Sequence, residues 1–314
     1  MVAYRLGRDG LLPAKPFSAI SLVNPRRLLL AGDVLYVALD DRLVSLSLGS
    51  DGSLPSQPTA ETRPRRGADY RDLVLVGNVL YAAAPGLLRI QAFALDQGHL
   101  PAEELSASGT ALSDYISLAS ANGFVYAGSP GAARVDTYLI QTDGSLPDFP
   151  EDQIPETTVD FPQQLLLRGA TLFVIELGDQ RISAFRIRTN GLPAHEADSR
   201  TPSVERYARI LIDGQRLYAS AFNKGRIDVY AFDPVTDSIP EQPPLASTRA
   251  DPGSFPSGML IDGGVLYVAQ AGLDRIDAYI LGSDGIPTEF PSSSTEPIAG
   301  AFPTDLALGV FATN

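Results

Sequence analysis

The sequence predicts an all-β fold, a seven-bladed β-propeller in which each blade is a four-stranded sheet. Two observations carry this prediction. A repeat with a period of about 46 residues fills the chain, and the two ends of the chain match different parts of one further repeat. All 314 residues are therefore expected to form a single domain.

An aromatic residue inside an apolar run marks each copy of the repeat. The first and last copies are Leu35-Tyr36-Val37 and Leu266-Tyr267-Val268, separated by five steps over 231 residues. The four copies between them are Leu80-Tyr81-Ala82, Val125-Tyr126-Ala127, Leu172-Phe173-Val174 and Leu217-Tyr218-Ala219. This period is close to the blade length of propellers and differs from that of most helical solenoids.

The best-preserved copy predicts four strands. Residues 259–261 form a short apolar strand, and Asp262-Gly263-Gly264 provides a tight turn in which glycine takes positive φ. Residues 265–269 are rich in β-branched and aromatic side chains, and residues 276–281 alternate, as strands do. Residues 282–287 contain an Asp-Gly turn that leads to a polar outer strand. Because each such turn offers one acidic ligand, it is predicted to be a hairpin and not a calcium loop.

The two ends of the chain predict how the ring closes. Residues 1–23 match the third and fourth strands of the repeat, and residues 302–314 match its first two strands. Together they are expected to form a composite seventh blade, which would remove the open edges of the array. One irregularity is that this last hairpin is three residues shorter than the corresponding hairpin of the preceding copy.

Charge and composition narrow the classes of partner. The net charge of −13 argues against general affinity for nucleic acid or an anionic membrane, and no apolar run has the length of a membrane helix. The absence of cysteine excludes disulfides, thiolate metal sites and cysteine nucleophiles. No cofactor is expected. We expect a monomer without a secretory leader, located in the cytoplasm; a periplasmic or secreted protein whose leader has been removed fits equally well.

Two groups of arginines stand out in this acidic chain. One group lies at or before the innermost strands of the first two repeats and could form a local anion site, because guanidinium groups bind carboxylate or phosphate in a fork; it comprises Arg26, Arg27, Arg63, Arg65, Arg66 and Arg71. The other group precedes the third strand of every copy. Because no single ligand needs the same residue in each blade, we interpret it as structural, capping loop carbonyls or pairing with an acid of the neighbouring blade; it comprises Arg42, Arg89, Arg134, Arg181, Arg226 and Arg275.

The candidate functional residues lie where each innermost strand begins, at the predicted mouth of the central channel. These positions differ between blades although the scaffold repeats, as expected of a specific surface or of relaxed loops. The candidate catalytic residues are Asp114, Asp305 and Tyr207. The candidate ligand-binding residues are Arg26, Arg27, Tyr70, Arg71, Asp72, Tyr115, Gln163, Arg206 and Arg209. Such groups could bind a carboxylate and move a proton, or simply form a hydrated mouth.

The pattern of an Asp-Gly turn, Leu-Tyr-Val-Ala, a short loop, Arg-Ile-x-x-Tyr and x-Asp-Gly-x-Leu-Pro resembles the lactonase family of seven-bladed propellers. That family includes bacterial 6-phosphogluconolactonase and the fungal carboxy-muconate lactonising enzyme, and the likeness covers essentially the whole chain. The resemblance implies histidine, arginine and acidic groups around a central cleft. This chain departs from that expectation, because its two histidines, His99 and His195, fall in outer hairpins and cannot serve as a base in the channel.

Three kinds of function fit these observations, and the sequence leaves open whether the protein is an enzyme; besides the two described next, an enzyme or accessory factor of another class could use the same cleft. The first is a binding or scaffold propeller that recognises a protein partner or a small anionic ligand at the channel mouth. The alternative is a lactonase-like hydrolase or cycloisomerase that acts on a carboxylated or sugar-acid lactone. In that case Arg71 and Arg206 would hold the carboxylate, and Asp114 or Asp305 would act as the base.

Overall fold

The computed structural model describes residues 1–108, 113–203 and 205–311, and within these residues it is an all-β propeller of four-stranded antiparallel blades. Each blade is a meander in which the first strand in sequence lies at one edge and the fourth at the other. None of the described residues form a helix that is long and apolar enough to cross a membrane.

The chain begins with a two-stranded sheet, β1 (Val2–Ala3) paired with β2 (Ser18–Ala19). Six four-stranded blades follow in chain order. Blades 1 to 3 contain β3 (Arg27–Ala31), β4 (Val34–Ala38), β5 (Leu43–Ser47), β6 (Ala60–Glu61), β7 (Asp72–Val76), β8 (Val79–Ala84), β9 (Arg89–Ala94), β10 (Ser106–Ala107), β11 (Ser117–Ala121), β12 (Phe124–Ser129), β13 (Arg134–Leu139) and β14 (Asp152–Ile154). Blades 4 to 6 contain β15 (Pro162–Arg168), β16 (Thr171–Glu176), β17 (Arg181–Arg186), β18 (Ser199–Arg200), β19 (Tyr207–Asp213), β20 (Arg216–Ala221), β21 (Arg226–Ala231), β22 (Ala246–Ser247), β23 (Pro256–Asp262), β24 (Val265–Gln270), β25 (Arg275–Ile280) and β26 (Ser293–Ser294).

The prediction of seven four-stranded blades is wrong in its count, because residues 1–108, 113–203 and 205–311 form six. The N-terminal residues form their expected strand pair, but residues 302–311 form no strand, and residues 312–314 lie outside the described residues. The shortened hairpin gives a physical reason: it has three residues fewer than its counterpart in blade 6, and because this number is odd, the side chains that follow change face and the segment cannot repeat the inner ladder of blade 6.

The two chain termini nevertheless lie between blade 6 and blade 1. The backbone N–H of Leu12 donates to Ser293 of blade 6, and the N–H of Leu54 in blade 1 donates to Ser18, both over 3.0 Å. Leu306 packs with Leu6 and Leu12 against blade 6. A cavity of about 890 Å³ remains between these segments, lined on the side of blade 1 by apolar residues that include Leu28, Leu30 and Leu35.

The hydrophobic core lies between adjacent blades, so each sheet is packed on both faces. One cluster joins Tyr36 and Leu43 of blade 1 to Leu80 and Phe93 of blade 2, and equivalent clusters lie between the later pairs of blades. This explains why the second strand of each blade is buried along its whole length or nearly so and reads as an apolar run.

The aromatic residue that marks each repeat also links adjacent blades through a hydrogen bond. The hydroxyl of Tyr81 donates to the carbonyl of Gly144 in the outer hairpin of blade 3, and that of Tyr126 donates to Gly191 in blade 4, both over 2.7 Å. The same bond joins Tyr36 to Gly98, Tyr218 to Gly285, and Tyr267 to Gly10 of the N-terminal segment. Glycine is required at Gly191, since φ is +83° and a Cβ atom would lie 2.2 Å from the ring of Phe124.

Blade 4 lacks this hydrogen bond, because its repeat has phenylalanine in place of tyrosine. Phe173 replaces the tyrosine, and instead of a hydroxyl contact its ring packs edge-on against Phe232 of blade 5, with 5.9 Å between the ring centres. The hairpin of blade 5 carries Asp237, with φ of +51°, where the other hairpins carry glycine.

The arginines that precede each third strand are structural, but they pair within their own blade. The Nε atoms of Arg134, Arg226 and Arg275 lie 2.8 to 2.9 Å from the buried carboxylates two residues further along the strand. Arg42 and Arg181 also contact acids of their own blade, while Arg89 donates to the carbonyl of Leu87. The prediction of pairing between blades is therefore replaced by pairing along one strand.

We expect Tyr126→Phe to reduce the free energy of unfolding at neutral pH by about 1 kcal/mol, because the Gly191 carbonyl loses its partner. Burial raises the pKa of Tyr126 to about 12, so the folded state retains this proton while the unfolded chain loses it near pH 10. The contribution of Tyr126 is therefore complete below pH 10 and falls between pH 10 and 12 by about 1.4 kcal/mol per pH unit, so it reaches zero near pH 11, and above that pH Tyr126→Phe becomes the more stable protein.

Urea unfolding of the wild type and of Tyr126→Phe at several pH values between 8 and 12 tests this expectation. The difference in stability between the two proteins should shrink as the pH rises above 10. A difference that stays constant over this range would contradict the hydrogen bond.

Candidate functional site

In each repeat, one residue lies near the start of the innermost strand, at the mouth of the central channel. It directly precedes the first large apolar residue of that strand, as Ser117 precedes Leu118. We call these residues the channel ring. Its members recur every 45 to 49 residues, and they are Arg27, Asp72, Ser117, Gln164, Arg209, Gly258 and Asp305. The innermost strands of neighbouring blades belong to different sheets and do not form a ladder with each other, so the ring side chains can provide hydrogen bonds between blades.

Four ring residues accept a hydrogen bond from the backbone of the next blade. Asp72 accepts from the N–H of Leu118 over 2.8 Å, and Ser117 accepts from the N–H of Leu165 over 2.9 Å. Gln164 accepts from the N–H of Ile210 over 2.7 Å, and Asp305 accepts from the N–H of Leu28 over 2.8 Å. These bonds satisfy backbone groups that would otherwise be buried without a partner.

Gly258 has a different role in the ring, because it makes room for the C-terminal segment. A Cβ atom at this position would lie 2.7 Å from the Cα of Asp305. The preceding residue, Ser257, donates from its hydroxyl to the carbonyl of Pro303 over 3.0 Å. The C-terminal segment is thereby held against blade 6 at the channel.

Arg27 is the ring residue with the strongest ion pairing. Its Nε lies 2.8 Å from Asp72 and its Nη1 lies 3.2 Å from Asp305, and both carboxylates are almost fully buried. Asp72, and then Asp305, raise the pKa of Arg27 above its usual range, against the opposing effect of burial. This guanidinium is therefore neutralised by two acids and is not available for a third.

Arg209 is the ring residue whose charge is not paired. Within the described part of the chain, its guanidinium has no ion pair and no hydrogen bond, although Arg27, Asp305 and Asp72 are close enough to influence it. Burial and then the charge of Arg27 lower the pKa of Arg209, and the two carboxylates partly oppose this. A part-buried cation without a partner is a favourable position for an anionic ligand.

An irregularity in the backbone of β19 determines the direction of the Arg209 side chain. The register of β19 against β20 shifts between Tyr207 and Ile210, so Arg209 lies in a β-bulge. The hydroxyl of Ser220 accepts from the N–H of Arg209 over 2.9 Å, in place of a regular ladder bond. Bulges redirect side chains in this way at many binding sites.

The other predicted arginines lie on the rim of the mouth, outside the ring. Arg71 pairs with Asp69 over 2.7 Å, and Arg26 pairs with Asp40 over 2.9 Å. Arg206 and the part-buried Gln163 lie on or beside this rim, and Arg206 is exposed. The predicted base Asp114 accepts from the hydroxyl of Ser129 and from the N–H of Gly131, so its hydrogen bonds stabilise the loop at 129–131.

The three tyrosines of the candidate set are buried inside their blades. Tyr70 donates to Gln91 over 2.5 Å and Tyr115 to Asp136 over 2.5 Å. Tyr207 contacts Asp228 over 3.0 Å and Tyr230 over 2.6 Å. Burial is the main cause that raises the pKa of Tyr207, followed by the charge of Asp228, so this hydroxyl stays protonated.

Sequence reasoning missed Ser117 and Gln164 and selected Gln163 in place of the latter. Successive side chains of a strand point to opposite faces, so an error of one residue exchanges a ring residue for a rim residue. A repeat alignment based on the first apolar residue of each innermost strand, such as Leu118 and Leu165, would have identified both positions.

The arrangement supports anion binding and proton transfer by side chains. No group of three or more histidine, aspartate or glutamate residues that could hold a metal ion is found among residues 1–108, 113–203 and 205–311. His195 contacts Asp152 on the outer strand of blade 3, and His99 lies in the outer hairpin of blade 2, so neither faces the channel.

No family model matches this sequence, and no curated protein matches it either. Solved structures do match. The structure of a periplasmic gluconolactonase of Pseudomonas aeruginosa superposes with a TM-score of 0.79 at 17% identity, over 97% of this chain and 93% of that one.

Two proteins described as candidate 6-phosphogluconolactonases also match. The one from Bacteroides uniformis gives a TM-score of 0.74 at 19% identity, over 93% of both chains. The one from Bacteroides fragilis gives 0.70 at 16% identity, over 90% of this chain and 89% of that one. At these identities the likeness establishes the fold.

The inter-blade hydrogen bonds of the channel ring predict a stability loss for Ser117→Ala. The substitution removes the acceptor for Leu165 and a donor to Asp72, so we expect a loss of about 1 to 3 kcal/mol. Ser56 is exposed, and Ser56→Ala should change the stability by less than about 0.5 kcal/mol. Equal urea midpoints for the two variants would contradict the structural role of the ring.

Arg27 and Arg26 in blade 1 are both paired with acids, but the partners of Arg27 are buried and that of Arg26 is exposed. We therefore expect replacement by methionine to affect stability differently at the two positions. Arg27→Met leaves two buried carboxylates without their cation and should cost about 3 kcal/mol. Arg26→Met removes an exposed pair and should cost less than about 1 kcal/mol. Chemical denaturation at neutral pH measures both, and similar losses for the two variants would contradict this assignment.

Proposed function

We propose that this protein is a lactonase-like hydrolase that opens a carboxylated or sugar-acid lactone inside the central channel. The observation that carries the proposal is the unpaired guanidinium of Arg209, which lies beside the carboxylates of Asp305 and Asp72 in a chain with a net charge of −13. An acidic protein that keeps one buried cation without a partner has a defined position for an anion or a polarised carbonyl oxygen.

The two channel carboxylates differ in their capacity to accept a proton. Asp72 accepts three hydrogen bonds, from Ser117 and from the N–H groups of Leu73 and Leu118, and it also forms an ion pair with Arg27. Asp305 accepts two, from Arg27 and the N–H of Leu28. Because a carboxylate has about four lone-pair sites, Asp305 retains the capacity to bind a water molecule.

These groups suffice for ring opening by water. Asp305 takes a proton from the water as its oxygen adds to the lactone carbonyl, and Arg209 stabilises the resulting oxyanion. The bond between the carbonyl carbon and the ring oxygen then breaks, and the ring oxygen receives the proton from Asp305. The products are the hydroxy acid and the unchanged protein.

The proposal assigns the roles differently from the sequence hypothesis. Arg209 replaces Arg71 and Arg206 as the anion-binding residue, because Arg71 is already paired with Asp69 and Arg206 lies on the rim. Asp305 keeps its predicted role as base, and Asp114 does not take it, because it stabilises the loop at 129–131. The structural neighbours named as gluconolactonases and 6-phosphogluconolactonases support lactones as the first compounds to test.

We expect the protein to hydrolyse glucono-δ-lactone, 6-phosphoglucono-δ-lactone or muconolactone faster than the spontaneous reaction, as measured by acid release at constant pH. Arg209→Met should reduce kcat/KM by about 100-fold or more, because it removes oxyanion stabilisation. Asp305→Asn should reduce kcat by a similar factor, since the amide still accepts from Leu28 but loses the base, together with one of the two acids paired with Arg27.

Arg188→Met is the matched control, because Arg188 is exposed in the outer hairpin of blade 4 and should leave the rate unchanged. Binding of gluconate or 6-phosphogluconate that depends on Arg209 but occurs without hydrolysis would favour the binding propeller over the enzyme. Rates at the spontaneous level, together with no binding of either acid, would overturn both functions at this channel.

A further inference from the structure

Above the channel ring, the rim of the mouth carries a second repeated position, three residues before each ring residue. In chain order the rim positions are Asn24, Asp69, Asp114, Phe161, Arg206, Phe255 and Phe302. Blades 1 to 3 therefore contribute a polar arc, and blades 4 to 6 with the C-terminal segment contribute an arc of phenylalanines around Arg206. We call the latter the aromatic arc.

The phenylalanines of the aromatic arc are exposed. Phe161, Phe255 and Phe302 have 44%, 38% and 63% of their surface accessible. Phe222, from the loop between β20 and β21, adds a fourth ring, which stacks on Phe255 with 4.9 Å between ring centres and 21° between planes. Aromatic surfaces grouped in this way at a channel mouth are typical of ligand sites.

The backbone at these positions is strained. Phe161, Phe255 and Phe302 have φ of +52°, +51° and +40°, a left-handed conformation that is unfavourable for bulky residues. Asn24 and Asp69 occupy the same step of the repeat with φ of +50° and +51°, and such short polar side chains tolerate it better. Phenylalanine is thus placed where asparagine would be more stable, as found at binding sites that retain strain.

We propose that the aromatic arc binds a second sugar ring of the substrate, so that the protein acts on lactones of glycosylated or oligomeric sugar acids. This inference rests on the proposed function of the channel. Three residues separate each rim position from its ring residue, a distance of up to about 10 Å along the chain. One hexose ring held at Arg209 does not span this distance, whereas two linked rings do.

The chemistry of the mouth matches a sugar better than an alkyl or aryl chain. A pyranose ring has an apolar face of C–H groups, which stacks on an aromatic ring, and hydroxyls around its edge. The aromatic arc provides the stacking surface, Arg206 within it provides donors, and Asn24, Asp69 and Asp114 on the opposite arc provide further polar groups. An alkyl or aryl chain would use only the phenylalanines.

The first test compares gluconate with cellobionate, which carries one additional glucose, by isothermal titration calorimetry. The wild type should bind cellobionate at least 10-fold more tightly than gluconate. Phe255→Asn should lower the affinity for cellobionate to that for gluconate and leave gluconate unchanged, while the fold is kept because Asn suits this backbone. Phe149→Asn, at a 77% exposed position after the outer hairpin of blade 3, should behave as the wild type.

The second test uses cellobiose, which has no carboxylate, in saturation-transfer NMR. Its ring C–H signals should be saturated by the wild type and by Arg209→Met, and not by Phe255→Asn. Equal affinities for cellobionate and gluconate, or no cellobiose contact in the wild type, would overturn the inference and leave the channel function standing. Cellobiose contact without any gluconate binding or hydrolysis would support the aromatic arc and overturn the proposed function.

Discussion

The hydrogen bonds of the channel ring are the constraint on which the structure depends. Innermost strands of adjacent blades do not pair with each other, so their first N–H groups need acceptors from a neighbouring blade. Asp72, Ser117, Gln164 and Asp305 are all acceptors and all fill this role. Arginine has no acceptor atom, so an arginine in the ring either pairs with acids, as Arg27 does, or remains available for a ligand. The same requirement that holds the blades together therefore distinguishes Arg209, which has no such partner among the described residues, from Arg27.

The mouth shows how a repeated scaffold becomes a specific site. At one step of the repeat the chain places asparagine, aspartate and phenylalanine in different blades, while φ stays near +50° at Asn24, Asp69, Phe161 and Phe255. The scaffold therefore accepts different side chains at the same point. A polar arc and an aromatic arc arise on opposite sides of one channel without any change in the blades below.

The chain termini show a limit of the repeat as a guide. The N-terminal strands β1 and β2 form as the repeat predicts, and Leu306 packs where a repeat residue would. The shorter C-terminal segment makes these side-chain contacts without a strand ladder, and a cavity of about 890 Å³ remains beside it. Side-chain packing can thus follow the repeat where backbone pairing does not, because pairing depends on the register of both strands, whereas apolar contacts are not directional.

The sequence by itself determined the architecture, because a period near 46 residues with one aromatic per copy fits a blade whose sheets bury their faces against each other. It also located Arg27, Asp72, Arg209 and Asp305, since these positions vary where the scaffold repeats. Only the tertiary structure decided which charges are paired, because the partners of Arg27 are 45 and 278 residues away in the chain. It also decided that Tyr115 and Tyr207 are buried and that Gln164, not Gln163, bonds to the next blade, because side-chain direction depends on bulges and register that the pattern of residue types does not encode.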